Sequence, residues 1–170
     1  MGHIVLIGLM GSGKTAVGVP LAAALGVQHG DSDLEIERET GLRSRDLAAR
    51  DGIDALHALE ARHLLEVLGK PETTVISAAA STLDDAVCLA AMHDPRHLIV
   101  WLRASPEALA ARQRPDDHRP DFGADLVDVV RRQSVLRTPA MEEVADLTVD
   151  ATEPPETLVA EILANAAAVR

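Results

Sequence analysis

Eight residues near the amino terminus constrain this chain more than any others. Gly8-Leu9-Met10-Gly11-Ser12-Gly13-Lys14-Thr15 matches the pattern G-x-x-x-x-G-K-[ST] in full. The residues before it, His3-Ile4-Val5-Leu6-Ile7, form a short apolar run rich in β-branching, which reads as a buried parallel strand. The residues after it, from about Gly13 to Leu25, read as a helix. Glycines let consecutive N–H groups converge on one point, and a helix amino terminus adds partial positive charge there. In that setting Gly11, Ser12 and Gly13 line a phosphate cradle, Lys14 reaches the β- and γ-phosphates, and the Thr15 hydroxyl ligates Mg²⁺. A glycine turn that only joins strand to helix is the plainer alternative. Strand, loop and helix in register favour a nucleotide site.

The kind of nucleotide protein follows from what accompanies the loop. A GTPase reads guanine through an Asn-Lys-x-Asp segment, yet the only asparagine is Asn165, close to the carboxyl terminus. Motor and transporter ATPases end a central strand in an acid, whereas the candidate strands here end in Ser77-Ala78 and Leu102-Arg103. The carboxylates sit instead after the second strand, as Asp31 and Asp33. Strand ends open onto the ligand crevice of a doubly wound sheet, so both acids fall near the loop. Beside a Mg²⁺-nucleotide, one acid can address the metal's shell while the other orients or deprotonates a nucleophile. The plainer alternative is a solvated Gly-Asp-Ser-Asp turn that caps the next helix.

The rest of the chain alternates strand and helix. A short strand around Val27 leads into Gly30-Asp31-Ser32-Asp33, and residues 34–68 read as helix in pieces, broken at Gly41 and at Asp51-Gly52. Strands are predicted at 73–77, 97–102 and 146–150. Helices are predicted to start at Ser81 or Thr82, at Ser105 with Pro106 in the first helical position, at Ala124 (ending at Leu136), and after Pro154-Pro155. This alternation predicts an α/β fold, a parallel sheet with helices on both faces. At 170 residues without a linker or repeat, one domain is expected over 1–170. Pro20 falls inside the first helix, where a kink is expected.

Composition narrows the setting. With 27 acidic against 16 basic residues and a net charge of −11, neither nucleic acid nor an anionic membrane is an expected partner. Lys14 and Lys70 are the two lysines, so a lysine inside the glycine loop is a specific placement. The lone Cys88 excludes an intramolecular disulfide and a cysteine-based zinc site. No apolar run approaches the roughly 20 residues of a membrane span, and the amino terminus lacks a leader pattern, so a cytoplasmic location is expected.

Taken together, the Gly8–Thr15 loop, Asp31-Ser32-Asp33, Ile36-Glu37, Thr40-Gly41, Asp51-Gly52, Glu60, Ser77, Arg119-Pro120 and Arg137-Thr138-Pro139 resemble the shikimate kinases in order and spacing. The resemblance covers nearly the whole chain. It implies a monomeric three-layer P-loop kinase fold, with a central five-stranded parallel sheet in the order 2-3-1-4-5. It implies ATP with Mg²⁺ as the nucleotide, Asp31 on the water shell of the metal, and Asp33 on the acceptor hydroxyl. Segment 112–123 would be a lid, with Arg119 on the transferring phosphoryl group and Arg112 packed on the adenine; Ala16 and Pro155 complete the nucleotide's surroundings. Arg137 would face the acceptor. For the lid the plainer alternative is a charged surface loop, and for Arg137 a solvated helix-end cation.

The acceptor pocket departs from the family pattern. An arginine normally follows the Asp-Gly pair to meet the acceptor carboxylate, and His57 stands in that place. A glycine triplet normally follows the third strand, where this chain has Ala79-Ala80-Ser81. Guanidinium is a permanent bidentate charge, whereas imidazole is half charged only near pH 6.5. Each alanine adds a β-carbon and makes glycine-only dihedrals costly. His57, Ala79 and Ala80 therefore join Asp33 and Arg137 as candidate acceptor-binding residues, with packing or surface exposure the plainer role for His57. The expected activity is transfer of the γ-phosphate of ATP to a hydroxyl of a small anionic metabolite, shikimate by default. A different acceptor, or a non-catalytic nucleotide-binding module, is the alternative.

Overall fold

The computed structural model describes residues 2–112 and 126–168. In chain order its elements are β1 (Ile4–Ile7), α1 (Lys14–Leu25), β2 (Gln28–Asp31), α2 (Ser32–Thr40), α3 (Ser44–Asp51), α4 (Ile53–Leu68), β3 (Thr74–Ser77), a 3₁₀ turn (Ala80–Asp84), α5 (Ala86–Met92), β4 (Leu98–Arg103), α6 (Pro106–Ala111), α7 (Leu126–Val144), β5 (Leu147–Asp150) and α8 (Pro155–Ala168). The strands pair in parallel in the order β2-β3-β1-β4-β5, as expected.

Period-two alternation builds the layers. Ile4 and Leu6 of β1, with Leu98, Val100 and Leu102 of β4, pack on Val17 and Leu21 of α1 and Leu158 and Ile162 of α8. Val5, Ile7, Ile99 and Trp101 point the other way, onto Leu64 and Val67 of α4, Met92 of α5 and Val130 and Met141 of α7. Because β1 is covered on both faces, every residue in it is apolar and buried. A third cluster, Ile36, Leu47 and Leu56, holds α2, α3 and α4 together beside the sheet. No helix among the described residues is long and apolar enough to cross a membrane.

Two local expectations are revised. The cap of α5 is Asp85, whose carboxylate accepts from the N–H groups of Val87 and Cys88, and Ser81 and Thr82 lie in the preceding 3₁₀ turn. Helix α7 does not stop at Leu136 but continues through Pro139 to Val144, because Met141 and Val144 extend its apolar face into the core. Helix α1 holds Pro20 in its interior, as read from the sequence. Pro20 is exposed, which leaves the carbonyl freed at Ala16 within reach of water.

The amino-terminal ends of β1 and β4 are joined by a pair of buried histidines. The His3 N–H donates to His97 Nδ1 at 3.1 Å, and His3 Nε2 pairs with the Lys70 carbonyl at 3.1 Å. That backbone bond needs a neutral His97 ring with its proton on Nε2. Burial, joined by neighbouring His3, pushes His97 below its ordinary value; burial does the same to His63 and His29.

Two outcomes are expected. Pro20→Ala restores a helical hydrogen bond and removes a ring clash, against an opposing loss of about 0.4–1 kcal/mol from the freer unfolded chain. The net is a gain of about 1–2 kcal/mol in urea unfolding; no gain would mean that α1 has relaxed around the proline. For His97, His63 and His29, folded-state values lie below the unfolded value near 6.5, so their stabilisation is complete above that pH and is lost as pH falls through the folded values. The melting temperature should therefore drop between pH 7.5 and pH 5, and His97→Gln should reduce the slope.

Candidate active site

The carboxyl ends of β1, β2 and β3 open onto one cleft of about 610 Å³. The loop after β1 forms its floor. Gly11 (φ 83°) and Gly13 (φ 87°) are in the left-handed region that side chains avoid. A β-carbon on Gly11 would also stand 2.5 Å from the Leu109 carbonyl oxygen of α6, so the loop lies directly against that helix. Gly13 caps α1, and Lys14 and Thr15 open the helix. Lys14 curls back across the loop, its Nζ donating to the Gly8 carbonyl at 2.8 Å. Ser12 is buried, and its Oγ has no hydrogen-bond partner among the described residues. The left-handed glycines on either side of Ser12 turn the loop's backbone in the way a phosphate cradle needs.

Asp31 closes the other side of the loop, and it does two things at once. Its Oδ2 accepts from the Thr15 hydroxyl at 2.6 Å, while its Oδ1 accepts the Asp33 N–H at 3.1 Å and so caps α2. The capping alternative holds for Asp31, and the same carboxylate also reaches the residue that follows Lys14. Thr15 and Asp31 are hard oxygen donors in mutual contact, which fits Mg²⁺ carried by a nucleotide, since that ion keeps most of its waters and phosphate ligands. Among the described residues no cluster of three or more His, Cys, Asp or Glu forms an all-protein metal cage.

Asp33 lies two residues further, in the first turn of α2. Its Oδ1 accepts from the Ser44 hydroxyl at 2.9 Å, and Ser44 is the buried first residue of α3. Ser32 Oγ donates to the Ser77 carbonyl at 3.3 Å, while Ser77 Oγ pairs with His29 Nε2 at 3.0 Å. The end of β2 is thus pinned to the end of β3, where Asp31 and Ser77 are register partners.

Beyond Asp33 the cleft continues between α4, the turn after β3, and α7. It is lined there by His57, Glu60, Ala79, Ala80, Gln133 and Arg137. The Ser81 hydroxyl donates to the buried Glu60 carboxylate. Ala79 has φ −64° and ψ 143°, and no described residue other than glycine has a positive φ. The expected backbone cost of replacing the glycine triplet is therefore absent, and the alanines contribute only their methyl groups. Burial, joined by the Arg137 cation, pushes the His57 imidazole below its ordinary value, while Asp84 and Asp54 pull it upward. The Arg137 guanidinium is paired with Asp84, Nη2 to Oδ2 at 2.5 Å.

At the opposite end Arg112 closes α6 and donates from Nη1 to the Ala151 carbonyl at 2.6 Å, on a rim shared with Glu153 and Pro155. Ala16 also lines this end. Gly11, Ser12, Gly13, Lys14, Thr15, Ala16, Asp31, Asp33, His57, Ala79, Ala80, Arg112, Arg137 and Pro155 thus meet in one cleft. Arg119 and lid residues 113–123 lie outside the described residues. Sequence reasoning did not assign Ser44, Gln133 or Asp84; a serine opening a helix and an acid in a turn have ordinary local readings that hide such contacts.

Comparison with known proteins agrees with this geometry. Residues 10–167 match the family model for shikimate kinase. Shikimate kinase 2 of Yersinia enterocolitica is 33% identical, over 94% of this chain and 92% of its own. The shikimate kinase of Paramagnetospirillum magneticum is 34% identical, over 94% and 82%. The solved structure of Acinetobacter baumannii shikimate kinase, in complex with shikimate, superposes with a TM-score of 0.88 at 28% identity, covering 96% of this chain and 91% of that one. A gluconokinase from Sinorhizobium meliloti shares the fold at a TM-score of 0.65. The cleft is that of an ATP-dependent small-molecule kinase, and the chain belongs to the shikimate kinase family.

Proposed function

We propose that this kinase phosphorylates shikimate, with Lys14 and Asp33 acting on the two sides of the transferred group. The supporting observation is that one cleft holds a phosphate loop, a carboxylate oriented by Ser44, and Arg137 at its far end. A hydroxyl must meet the γ-phosphorus in line, and a carboxylate on the acceptor needs a cation on the side away from the nucleotide. The acceptor oxygen forms a bond to the γ-phosphorus as the bond to the β,γ-bridging oxygen breaks, and ADP leaves. Asp33 takes the hydroxyl proton and later passes it to solvent. Lys14 exchanges its carbonyl partner Gly8 for phosphate oxygens, where its charge offsets that of the transferring group.

Mg²⁺ accompanying ATP would be held by the Thr15 hydroxyl directly and by Asp31 through water, and when bound it neutralises phosphate charge. Arg112 and Pro155 flank the adenine side, together with Ala16. Arg119 belongs on the phosphoryl group by family resemblance alone. Arg137, with His57, Ala79 and Ala80, forms the acceptor's surroundings.

Coupled ADP release with shikimate, against a panel of other hydroxy acids and sugars, tests the acceptor. Lys14→Met should lower turnover by about 10²–10³ while changing stability by only about 0.5 kcal/mol, because the residue opens α1 and lies only partly buried outside the core. Asp33→Asn should lower turnover by about 10²–10⁴ with ATP affinity nearly unchanged. Collapse of nucleotide affinity in that variant, with turnover per bound ATP preserved, would assign Asp33 to the metal and remove it from the acceptor.

The pH profile has a definite sign. A protonated His57 pairs with the acceptor carboxylate, so affinity rises as pH falls. Burial shifts that rise to the acid side of pH 6.5, and KM for shikimate should be level between pH 7 and 8. His57→Arg should make the profile flat and lower KM by roughly tenfold at pH 7.5. A KM that already climbs steeply from pH 7 to 8 would show that another group controls acceptor binding.

A further inference from the structure

Two adjacent acids follow the Ala79-Ala80 segment, and they point to different tasks. Asp85 is spent on capping α5 through the N–H groups of Val87 and Cys88. Asp84, at the end of the 3₁₀ turn, meets Arg137 of α7, 53 residues away in sequence. Arg137 Nε lies 3.1 Å from both carboxylate oxygens and Nη2 lies 2.5 Å from Oδ2, so Asp84 holds one side of the guanidinium fork. The Arg137 side chain is only 12% exposed, the most buried arginine in any described ion pair, where the others are at least 44% exposed.

The two partners stand differently toward the cleft. Arg137 lines it and Asp84 does not. A guanidinium has five N–H donors, and gripping Nε and one side of Nη2 leaves the Nη1 edge unused. Nη1 makes no hydrogen bond among the described residues, and it is not sealed from solvent. A buried arginine on a flexible stem would otherwise turn toward any carboxylate or carbonyl within reach, and Glu60 lines the same lobe. Asp84 fixes which edge faces the substrate.

We propose that Asp84 is a positioning residue for acceptor recognition, holding Arg137 from behind so that its Nη1 edge meets the acceptor carboxylate. This rests on Arg137 serving as the carboxylate receptor, as proposed above. It also gives the departure at His57 a counterpart. Where the usual second arginine is a weakly basic imidazole, one guanidinium carries the permanent charge, and its orientation then matters more.

The test is a kinetic cycle with shikimate and ATP varied independently in the wild type, Asp84→Asn, Arg137→Lys and the double variant. Asp84→Asn should raise KM for shikimate about tenfold or more, with KM for ATP within twofold and kcat within threefold. Asp84→Glu should recover part of the loss. Once Arg137 is lysine, Asp84→Asn should add little, because nothing remains to be positioned. Additive losses, or equal losses for both substrates, would mean that Asp84 only stabilises the fold and would overturn the proposal. A lower KM in Asp84→Asn would overturn it as well, showing that Asp84 competes with the acceptor for Arg137. A wild type that turns over ATP with another hydroxy acid but not with shikimate removes the acceptor reading alone. The Arg137 Nε–Hε resonance, titrated with sodium benzoate, then decides. A Kd about tenfold weaker in Asp84→Asn supports positioning, and an equal Kd, or no perturbation in the wild type, overturns it.

Discussion

A loop that aims several backbone N–H groups at one point has no internal reason to hold that shape. Its dipoles repel one another, and Gly11 and Gly13 sit in conformations that confer no rigidity of their own. The loop persists because both ends are fixed. β1 is buried on two faces between neighbours β3 and β4, and α1 is packed on that sheet through Val17 and Leu21. The Leu109 carbonyl fills the space where a Gly11 side chain would stand, so α6 braces the loop from outside. The core of this protein is largely the mount for one turn.

The same economy extends to the carboxylates. Asp31 ends β2, and its two oxygens are divided between Thr15 of α1 and the first turn of α2. One side chain therefore fixes the nucleotide side of the cleft relative to the helix that carries Asp33. Ser44 then fixes Asp33 relative to α3. The chain of hydrogen bonds Thr15–Asp31–Asp33–Ser44 runs from the end of the Gly8–Thr15 loop to the start of α3. In-line transfer by the proposed roles depends on the distance between that loop and Asp33, and short polar links between helix termini hold it more tightly than apolar packing alone.

Much of this was legible in sequence because it rests on local rules. Gly8 to Thr15 declares its own conformation, Ser105-Pro106 declares a helix start, and the apolar runs of β1 and β4 declare burial on two faces. What escaped depends on contacts made across the fold. Arg137-Thr138-Pro139 reads locally as a helix end, yet α7 passes through it because Met141 and Val144 have a core to fill. Asp84-Asp85 reads as a polar start to a helix, and nothing local distinguishes the acid that caps from the acid that reaches Arg137. The triplet Ala79-Ala80-Ser81 reads as strained when set against glycine, although its dihedrals are ordinary.

That last point changes what the acceptor lobe requires. Because the backbone after β3 is extended at Ala79 and then enters a 3₁₀ turn, both open to any residue, the alanines alter volume and not conformation. The two methyl groups narrow the lobe on one side, and a histidine shorter than arginine relaxes it on the other, from α4. The exchanges are opposite in volume within one cleft, which is how a pocket keeps its capacity while its walls shift. Charge does not balance in the same way. Replacing guanidinium by a half-buried imidazole, pushed toward neutrality by that burial and by Arg137, leaves that cation as the lobe's permanent positive group among the described residues. On the proposed reading, recognition of an acceptor carboxylate rests on this one guanidinium. Its geometry is set by helix α7 and by the turn on which Asp84 lies.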